Sequence, residues 1–155
     1  MLILSVAVSD DALSSRVFVL RTQLRWGECD PAGIIFYPTY FQWFDAATWN
    51  MFAEVGYTAK RMKAENRAMP LVGANCEFKQ PAQQEDRCEV RSRIARWGGK
   101  SFTVAHDVVR EADGVLLSQG SETRVWGAYE NGPGTPMRGQ TIGEELKALF
   151  RAPPR

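Results

Sequence analysis

The chain has 155 residues, which is enough for one domain with a hydrophobic core and too short for two. Hydrophobic residues make up 45% of the chain and charged residues 24%, and 19 basic against 18 acidic side chains leave a net charge of +1. This balance gives no reason to expect a nucleic acid or a membrane surface as a partner.

Cysteine and histidine contents argue against a metal site. Three cysteines, Cys29, Cys76 and Cys88, occur without a CxxC spacing, and the chain has a single histidine. Neither a disulfide framework nor a zinc site fits this pattern, and no nucleotide-binding glycine motif is present. We therefore expect no metal and no cofactor, and we interpret the cysteines as free thiols in a reducing cytoplasm.

Taken in chain order, the elements begin after an N-terminal extension at residues 1–15, which lacks the features of a signal peptide. A helix is predicted over 39–55, because apolar side chains recur there at steps of three and four, with Thr39 as N-cap and Gly56 just after the end. A short exposed helix is expected at 58–66, a loose linker at 130–140 and a small helix at 141–150. Alternating or β-branched segments predict strands at 16–25, 70–79, 86–97, 101–111 and 115–128.

This order predicts an α+β fold. One strand, a long apolar helix and four consecutive strands are compatible with a five-stranded antiparallel sheet packed around the helix. The Asp113–Gly114 pair between the last two strands is a strong hairpin signal. An exposed sheet edge would need cover, and self-association is the usual way to provide it.

Asp30, in the stretch WGECDPAGIIFYP, is the first candidate for chemistry. An Asp–Pro pair commonly forms a turn in which the carboxylate accepts a nearby backbone N–H. The alternative is a reactive carboxylate, because the helix that begins near Tyr37 and Thr39 presents unpaired N–H groups and the positive end of its dipole. A carboxylate facing such donors would supply a nucleophile or base and an oxyanion hole.

Asp45 and His106 are the other titratable candidates. Asp45 lies at the margin of the apolar helix face, where it is either a rim residue or a group that fixes the polar end of a ligand. His106, the single histidine, lies in a predicted strand without a serine, cysteine or carboxylate placed beside it. A catalytic triad is therefore disfavoured. Basic residues near the Gly98–Gly99 turn, including Lys100, form either a solvated strand edge or a site for the phosphates of a nucleotide-bearing substrate.

The segment ECDPAGIIFYPTYFQWFDAATWNMF resembles the first motif of the 4-hydroxybenzoyl-CoA thioesterase family, which has the hotdog fold. The similarity continues more weakly from Pro70 to Trp126. It implies a cytoplasmic acyl-CoA thioesterase, with a hotdog domain at 16–130 and a linker and short helix at 131–155. It also implies a homodimer or homotetramer with sites between the subunits.

The resemblance assigns roles residue by residue. It implies that Asp30 is the catalytic carboxylate, as nucleophile or as general base, and that the backbone N–H of Tyr37 binds the thioester carbonyl. It places Asp45 and Phe41 near the acyl group and Lys100 at the CoA phosphates. Pro38 stands where short-chain enzymes commonly have histidine, which favours an aromatic acyl group, whereas Gly98 and Gly99 replace arginines of the relatives.

Other functions stay open at this point. A short-chain aliphatic acyl-CoA thioesterase would share the fold and the catalytic loop. A non-catalytic acyl-CoA-binding domain would share the fold without needing Asp30. A hotdog dehydratase would need a histidine close to the helix, and His106 lies far along the chain from it.

Overall fold

The structure is a computed structural model that describes residues 9–153. Its helices are α1 Asp10–Ser14, α2 Pro38–Glu54, α3 Ala59–Ala64 and α4 Glu144–Leu149, with a 3-10 turn at Trp26–Glu28. Its strands are β1 Phe18–Gln23, β2 Arg67–Ala68, β3 Leu71–Phe78, β4 Arg87–Trp97, β5 Ser101–Arg110, β6 Leu116–Val125, β7 Gly127–Tyr129 and β8 Met137–Gly139. No helix among these residues is long and apolar enough to cross a membrane.

Five strands form one antiparallel sheet in the order β1-β4-β5-β6-β3, and α2 packs against it. The α+β prediction is confirmed. The buried side chains of α2 recur every three or four residues, which places them on the sheet-facing side of the helix. They are Thr39, Tyr40, Trp43, Phe44, Ala47, Thr48, Met51 and Phe52.

The polypeptide after β6 differs from the prediction of one strand over 115–128 followed by a loose linker. The strand breaks at Trp126, whose indole is buried in the core, and β7 then pairs with β2 and β8 in a separate three-stranded sheet. A Cβ at Gly127 would lie 2.9 Å from the sulfur of Met137, so a larger residue there would have to displace the Met137 side chain. Period-2 patterning cannot reveal such a change of sheet.

Both ends of the described range pack against the domain. Leu146 and Phe150 lie in the same core cluster as Phe18 of β1, so the C-terminal helix contributes to the hydrophobic core. At the other end, α1 begins after Ser9, whose hydroxyl accepts the Ala12 N–H at 3.2 Å. The remainder of the expected N-terminal extension, residues 1–8, lies outside the described residues.

Candidate active site

The loop around Asp30 is a tight turn closed by its own backbone. The Asp30 N–H donates to the Ile34 carbonyl at 2.8 Å, and the Gly33 N–H donates to the Asp30 carbonyl at 2.9 Å. Gly33 has φ +77°, a left-handed conformation that favours glycine. The Asp30 Oδ1 atom accepts the Ala32 N–H at 2.8 Å. Asp30 is therefore a turn former, and the same turn holds its carboxylate in one orientation.

Helix α2 begins directly beyond this loop. Pro38 occupies its first position, where the missing N–H costs nothing. Thr39 donates its N–H to the Phe36 carbonyl at 2.9 Å, and Tyr40 donates to the Tyr37 carbonyl at 3.1 Å. In the part of the chain that the structure describes, the Tyr37 N–H donates to no backbone carbonyl. It is a free donor at the positive end of a 17-residue helix.

A cavity of about 550 Å³ joins these two features. Asp30 and Tyr37 both line it, and the rest of its wall includes Ile34, Phe36, Tyr40 and Phe78. The rings of Tyr37 and Phe78 meet edge to face, with centroids 6.3 Å apart. The cavity is thus lined by the residue that carries the carboxylate and the residue that carries the free N–H, together with an apolar wall, and a few polar groups in an apolar wall are typical of a small-molecule site.

Asp45 lies apart from this cavity. Its side chain is 55% exposed, and its Oδ1 atom accepts a hydrogen bond from Arg124 Nη2 at 2.5 Å. The Arg124 side chain is 4% exposed, so an exposed carboxylate on α2 is tied to a buried cation on β6. The residues that line the cavity do not include Asp45.

A network of polar side chains continues from Arg124 into the core. Arg124 also pairs with Glu122, from Nη2 to Oε1 at 3.0 Å and from Nε to Oε2 at 3.2 Å, and Thr48 Oγ1 donates to Glu122 Oε2 at 2.7 Å. Burial raises the pKa of the Glu122 carboxyl, but the polar contacts with His106, Arg124 and Thr48 prevail and lower it to about 2. Glu122 is therefore ionised at neutral pH.

Comparison with known proteins identifies the family that has this fold. The model of the thioesterase-like superfamily matches residues 24–150. This chain belongs to that superfamily. The 4-hydroxybenzoyl-CoA thioesterase of Pseudomonas sp. (strain CBS-3) is 32% identical over 141 residues, which cover 87% of this chain and 92% of that enzyme.

Two solved thioesterase structures are also similar. One is a mutant 4-hydroxybenzoyl-CoA thioesterase complexed with 4-hydroxybenzoyl-CoA, which is 27% identical and has a TM-score of 0.78. The match covers 88% of this chain and 99% of the chain in that structure. A gentisyl-coenzyme A thioesterase is 28% identical with a TM-score of 0.73, over 84% of this chain and 99% of its own. The resemblance and the hotdog fold are confirmed, and the protein is an acyl-CoA thioesterase, a thioester hydrolase.

Of the site residues expected for this thioesterase, the fold brings Asp30 and Tyr37 to one cavity. Phe41 is half-buried and packs edge to face on Phe44, with centroids 6.1 Å apart. Lys100 is exposed in the β4–β5 turn, where its carbonyl accepts the Trp126 N–H at 2.8 Å. Neither residue is among those that line the cavity.

Sequence reasoning missed Arg124 and Glu122. Their positions two apart on a strand are a signal that they share one face of the sheet. A pair of charged residues in a strand is normally assigned to the solvent face, whereas here both lie on the inner face. Their acceptor and donor partners on α2 are distant in sequence, and for this reason local patterns do not reveal them.

Proposed function

We propose that this thioesterase hydrolyses an aromatic acyl-CoA, of the benzoyl or hydroxybenzoyl type, to the free acid and CoA. The observation that supports this most strongly is the shared cavity of Asp30 and Tyr37. It pairs a carboxylate with a free N–H at a helix N-terminus, and its wall is largely aromatic and aliphatic. Acyl transfer needs a nucleophile or base at the carbonyl carbon and a hydrogen-bond donor at the carbonyl oxygen.

In the proposed mechanism the thioester carbonyl accepts a hydrogen bond from the Tyr37 N–H, and the α2 dipole stabilises the negative charge that develops on its oxygen. Asp30 then follows one of two courses. As a nucleophile it adds to the carbonyl and expels CoA thiolate, and water hydrolyses the resulting mixed anhydride. As a general base it takes a proton from water, whose oxygen adds to the carbonyl before the thiolate leaves.

An aromatic acyl group fits the chemistry of the site. Tyr40 and Phe78, whose rings are 5.7 Å apart, offer an aromatic wall to a planar ring. The similar thioesterases bear the names of 4-hydroxybenzoyl-CoA and gentisyl-CoA, which are both aromatic thioesters. In our proposal Phe41 and Asp45 lie near the ring, and Lys100 near the CoA phosphates.

Strand β3 supports a dimeric site. It is an edge strand of the five-stranded sheet, and Leu71, Val72 and Phe78 on it are 49%, 61% and 56% exposed. A long, apolar, unpaired edge of this kind is a template for pairing with a second strand. We propose that β3 pairs antiparallel with β3 of a second copy, which gives a homodimer; association of two dimers would give the homotetramer expected as the alternative.

Such pairing would complete the site. The Phe78 end of β3 borders the Asp30 cavity, whereas Leu71 at the other end is the register partner of Arg124, which binds Asp45. In an antiparallel pair about a two-fold axis, the Phe78 end of β3 in one protomer lies beside the Leu71 end of β3 in the other. Asp45 of one protomer would then approach the Asp30 cavity of its partner, so each site would draw residues from both copies.

A thiol-release assay tests the proposed function. The protein is incubated with benzoyl-CoA, the hydroxybenzoyl-CoA isomers and aliphatic acyl-CoAs of several lengths, and free CoA is measured. We expect kcat/KM to be highest for an aromatic substrate. A preference for aliphatic chains would replace the proposal by a short-chain thioesterase, and binding without thiol release would indicate an acyl-CoA-binding domain.

We propose that the protein acts in the cytoplasm, where CoA esters occur and where Cys29, Cys76 and Cys88 stay free.

A further inference from the structure

We infer that a second cavity, on the other side of Asp30, supplies the water that hydrolyses the acyl group. This inference rests on the proposed aromatic acyl-CoA thioesterase function and deepens it, because it gives the second substrate of the reaction a site of its own. Neither course proposed for Asp30 reaches the free acid without water.

The second cavity has a volume of about 470 Å³, and we call it the Trp26 cavity. The residues that line it are Trp26, Gly27, Cys29, Asp30, Pro31, Gly33 and Gln84. The cavity that Asp30 shares with Tyr37 is called the acyl cavity here. Among the described residues, Asp30 alone lines both cavities, so a molecule in either one has access to the same residue.

The chain segments that line the two cavities meet at a short backbone bridge. Ile34 pairs with Gln83 there in an isolated antiparallel bridge. Before this bridge, residues 79–81 line the acyl cavity, and directly after it Gln84 lines the Trp26 cavity. An acyl group in the first cavity therefore leaves the second one to another molecule.

The two cavities belong to opposite edges of the five-stranded sheet. Phe78, the last residue of the edge strand β3, lines the acyl cavity, whereas Trp26 follows the other edge strand, β1. The β3 pairing proposed above would bring the partner protomer to the acyl cavity and leave β1 uncovered. Trp26 is 79% exposed, so its cavity borders the solvent. CoA would thus reach Asp30 from the β3 side and water from the β1 side.

The walls of the two cavities differ in chemistry. The acyl cavity is largely aromatic and aliphatic, which suits a ring. In the Trp26 cavity, Gly27 and Gly33 have no side chains to cover their backbone polar groups, and Asp30 and Gln84 carry a carboxylate and an amide. A polar cavity of this size holds ordered water, whereas an apolar one stays dry.

Asp30 has a carboxylate oxygen available for this water. Oδ1 accepts the Ala32 N–H at 2.8 Å, and Oδ2 has no hydrogen-bond partner among residues 9–153. As a nucleophile, Oδ2 bonds the acyl carbon; the water oxygen then adds to that carbon, and the bond to Asp30 breaks. As a base, Oδ2 takes a proton from the water whose oxygen adds to the thioester carbon. In both courses the water oxygen ends in the carboxylate product, one proton ends on the CoA thiol, and the other is released when the acid ionises.

The test narrows the Trp26 cavity from a residue that does not line the acyl cavity. A Cβ on Gly27 would meet no atom within 4 Å, and the φ of Gly27 lies outside the left-handed region, so larger residues fit the backbone there. The substrate is the best aromatic acyl-CoA of the thiol-release assay, and the rate of acid formation is measured in a single turnover. We expect this rate to fall as the side chain grows through Gly27→Ala, Gly27→Val and Gly27→Leu, by about tenfold for leucine.

Gly143→Leu is the matched control. It adds the same side chain at another glycine where a Cβ would meet no atom within 4 Å, the N-cap residue of α4, with φ −81°. We expect the rate of acid formation to stay at the wild-type value. The thioether S-benzyl-CoA, which lacks the reactive carbonyl, should bind every Gly27 variant with the wild-type Kd, because the acyl cavity is unchanged.

A competing nucleophile separates a narrowed cavity from a displaced carboxylate. Hydroxylamine is larger than water, attacks the same acyl carbon and yields a hydroxamate in place of the acid. With the uncatalysed reaction subtracted, we expect the hydroxamate-to-acid ratio to fall about threefold in Gly27→Leu, because a narrower cavity excludes the larger nucleophile first. The ratio does not depend on the fraction of the variant that is active.

The outcomes keep this inference apart from the proposed function. A wild-type rate of acid formation in Gly27→Leu would overturn the role of the Trp26 cavity. A slower rate with an unchanged hydroxamate-to-acid ratio, or with weaker binding of S-benzyl-CoA, would also overturn it, since the variant would then act through Asp30 or the acyl cavity. These results leave the proposed function intact, whereas absence of thiol release from aromatic acyl-CoAs by the wild type would remove both.

Discussion

The imidazole of His106 lies parallel to the ring of Phe44, with centroids 4.6 Å apart and planes 6° from one another. The stack is close because β6 carries Gly120 beside it, where a Cβ would lie 2.5 Å from the Phe44 ring. Ser92 Oγ lies 2.8 Å from His106 Nδ1, whereas Nε2 has Glu122 Oε2 at the longer distance of 3.5 Å. Burial lowers the pKa of His106 and outweighs the Glu122 carboxylate, which acts in the opposite direction.

This depressed pKa makes the free energy of unfolding depend on pH. His106 is neutral in the folded state and has the ordinary pKa of about 6.5 once unfolded. The contribution of neutral His106 to the free energy of unfolding is therefore complete above about pH 6.5. It is lost as pH falls from about 6.5 through the lower pKa of the folded state. We expect urea unfolding to show decreasing stability from pH 7.5 to 5.5.

A variant isolates this effect, because His106 is the single histidine of the chain. His106→Gln should be less stable than the wild type at pH 7.5, yet its stability should be nearly constant down to pH 5.5. An equally steep slope in His106→Gln would show that another group is responsible. Glu122, with its pKa lowered to about 2, adds a separate loss at more acidic pH, from about 4.5 downward.

Replacement of Asp30 tests the proposed catalytic carboxylate. Asp30→Asn keeps the Oδ1 acceptor for the Ala32 N–H but removes the charge, so the turn and the fold should persist. We expect kcat to fall about 10³-fold, within the usual range for loss of a general base. Asp113→Asn is the matched control, because Asp113 Oδ1 accepts the Val115 N–H at 3.1 Å in a similar turn away from the cavity. Near-normal turnover of Asp30→Asn would end the proposed mechanism.

The role proposed for Tyr37 rests on its backbone, and this can be separated from its side chain. Tyr37→Phe should change kcat/KM by less than about threefold, because only the phenol is lost. Tyr37 has φ −51°, which proline accepts, and its N–H donates to no backbone carbonyl among the described residues. Tyr37→Pro should thus lower kcat about 10²-fold, the effect of losing one oxyanion donor.

Tyr37→Ala is the control for the missing side chain in the proline variant. Circular dichroism and thermal unfolding of both variants report whether α2 still begins correctly. Equal activity of Tyr37→Pro and Tyr37→Ala would exclude the backbone donor from the mechanism.

The edge of β3 provides the test of the proposed dimer. Asn75 is exposed near the middle of β3, and a lysine there would place two like charges close to the two-fold axis of a β3 pair. We expect Asn75→Lys to shift the mass measured by light scattering toward the monomer and to lower activity in parallel. Val17→Lys is the control at a 53% exposed valine just before β1. A monomeric wild type with full activity would contradict the composite site.

Much of the candidate site could be predicted from local sequence. Asp30 and Tyr37 are seven positions apart, and the turn with Gly33 and the helix start at Pro38 both depend on neighbouring residues. The long helix and the five strands were predictable for the same reason, since periodicity reports local geometry. Sequence reasoning did not predict the break of the strand at Trp126, because that break depends on the packing of the indole in a distant core cluster.

By itself the sequence determined the fold class, the central helix and the approach of Asp30 to the N-terminus of that helix. The tertiary structure alone decided the environment of Asp45, whose partner Arg124 is 79 positions away, and the burial of Glu122, which bonds Thr48 across 74 positions. The physical reason is that a charged side chain prefers water unless a partner is present. Whether such a partner exists depends on which strand lies beneath the helix, and no local pattern contains that information.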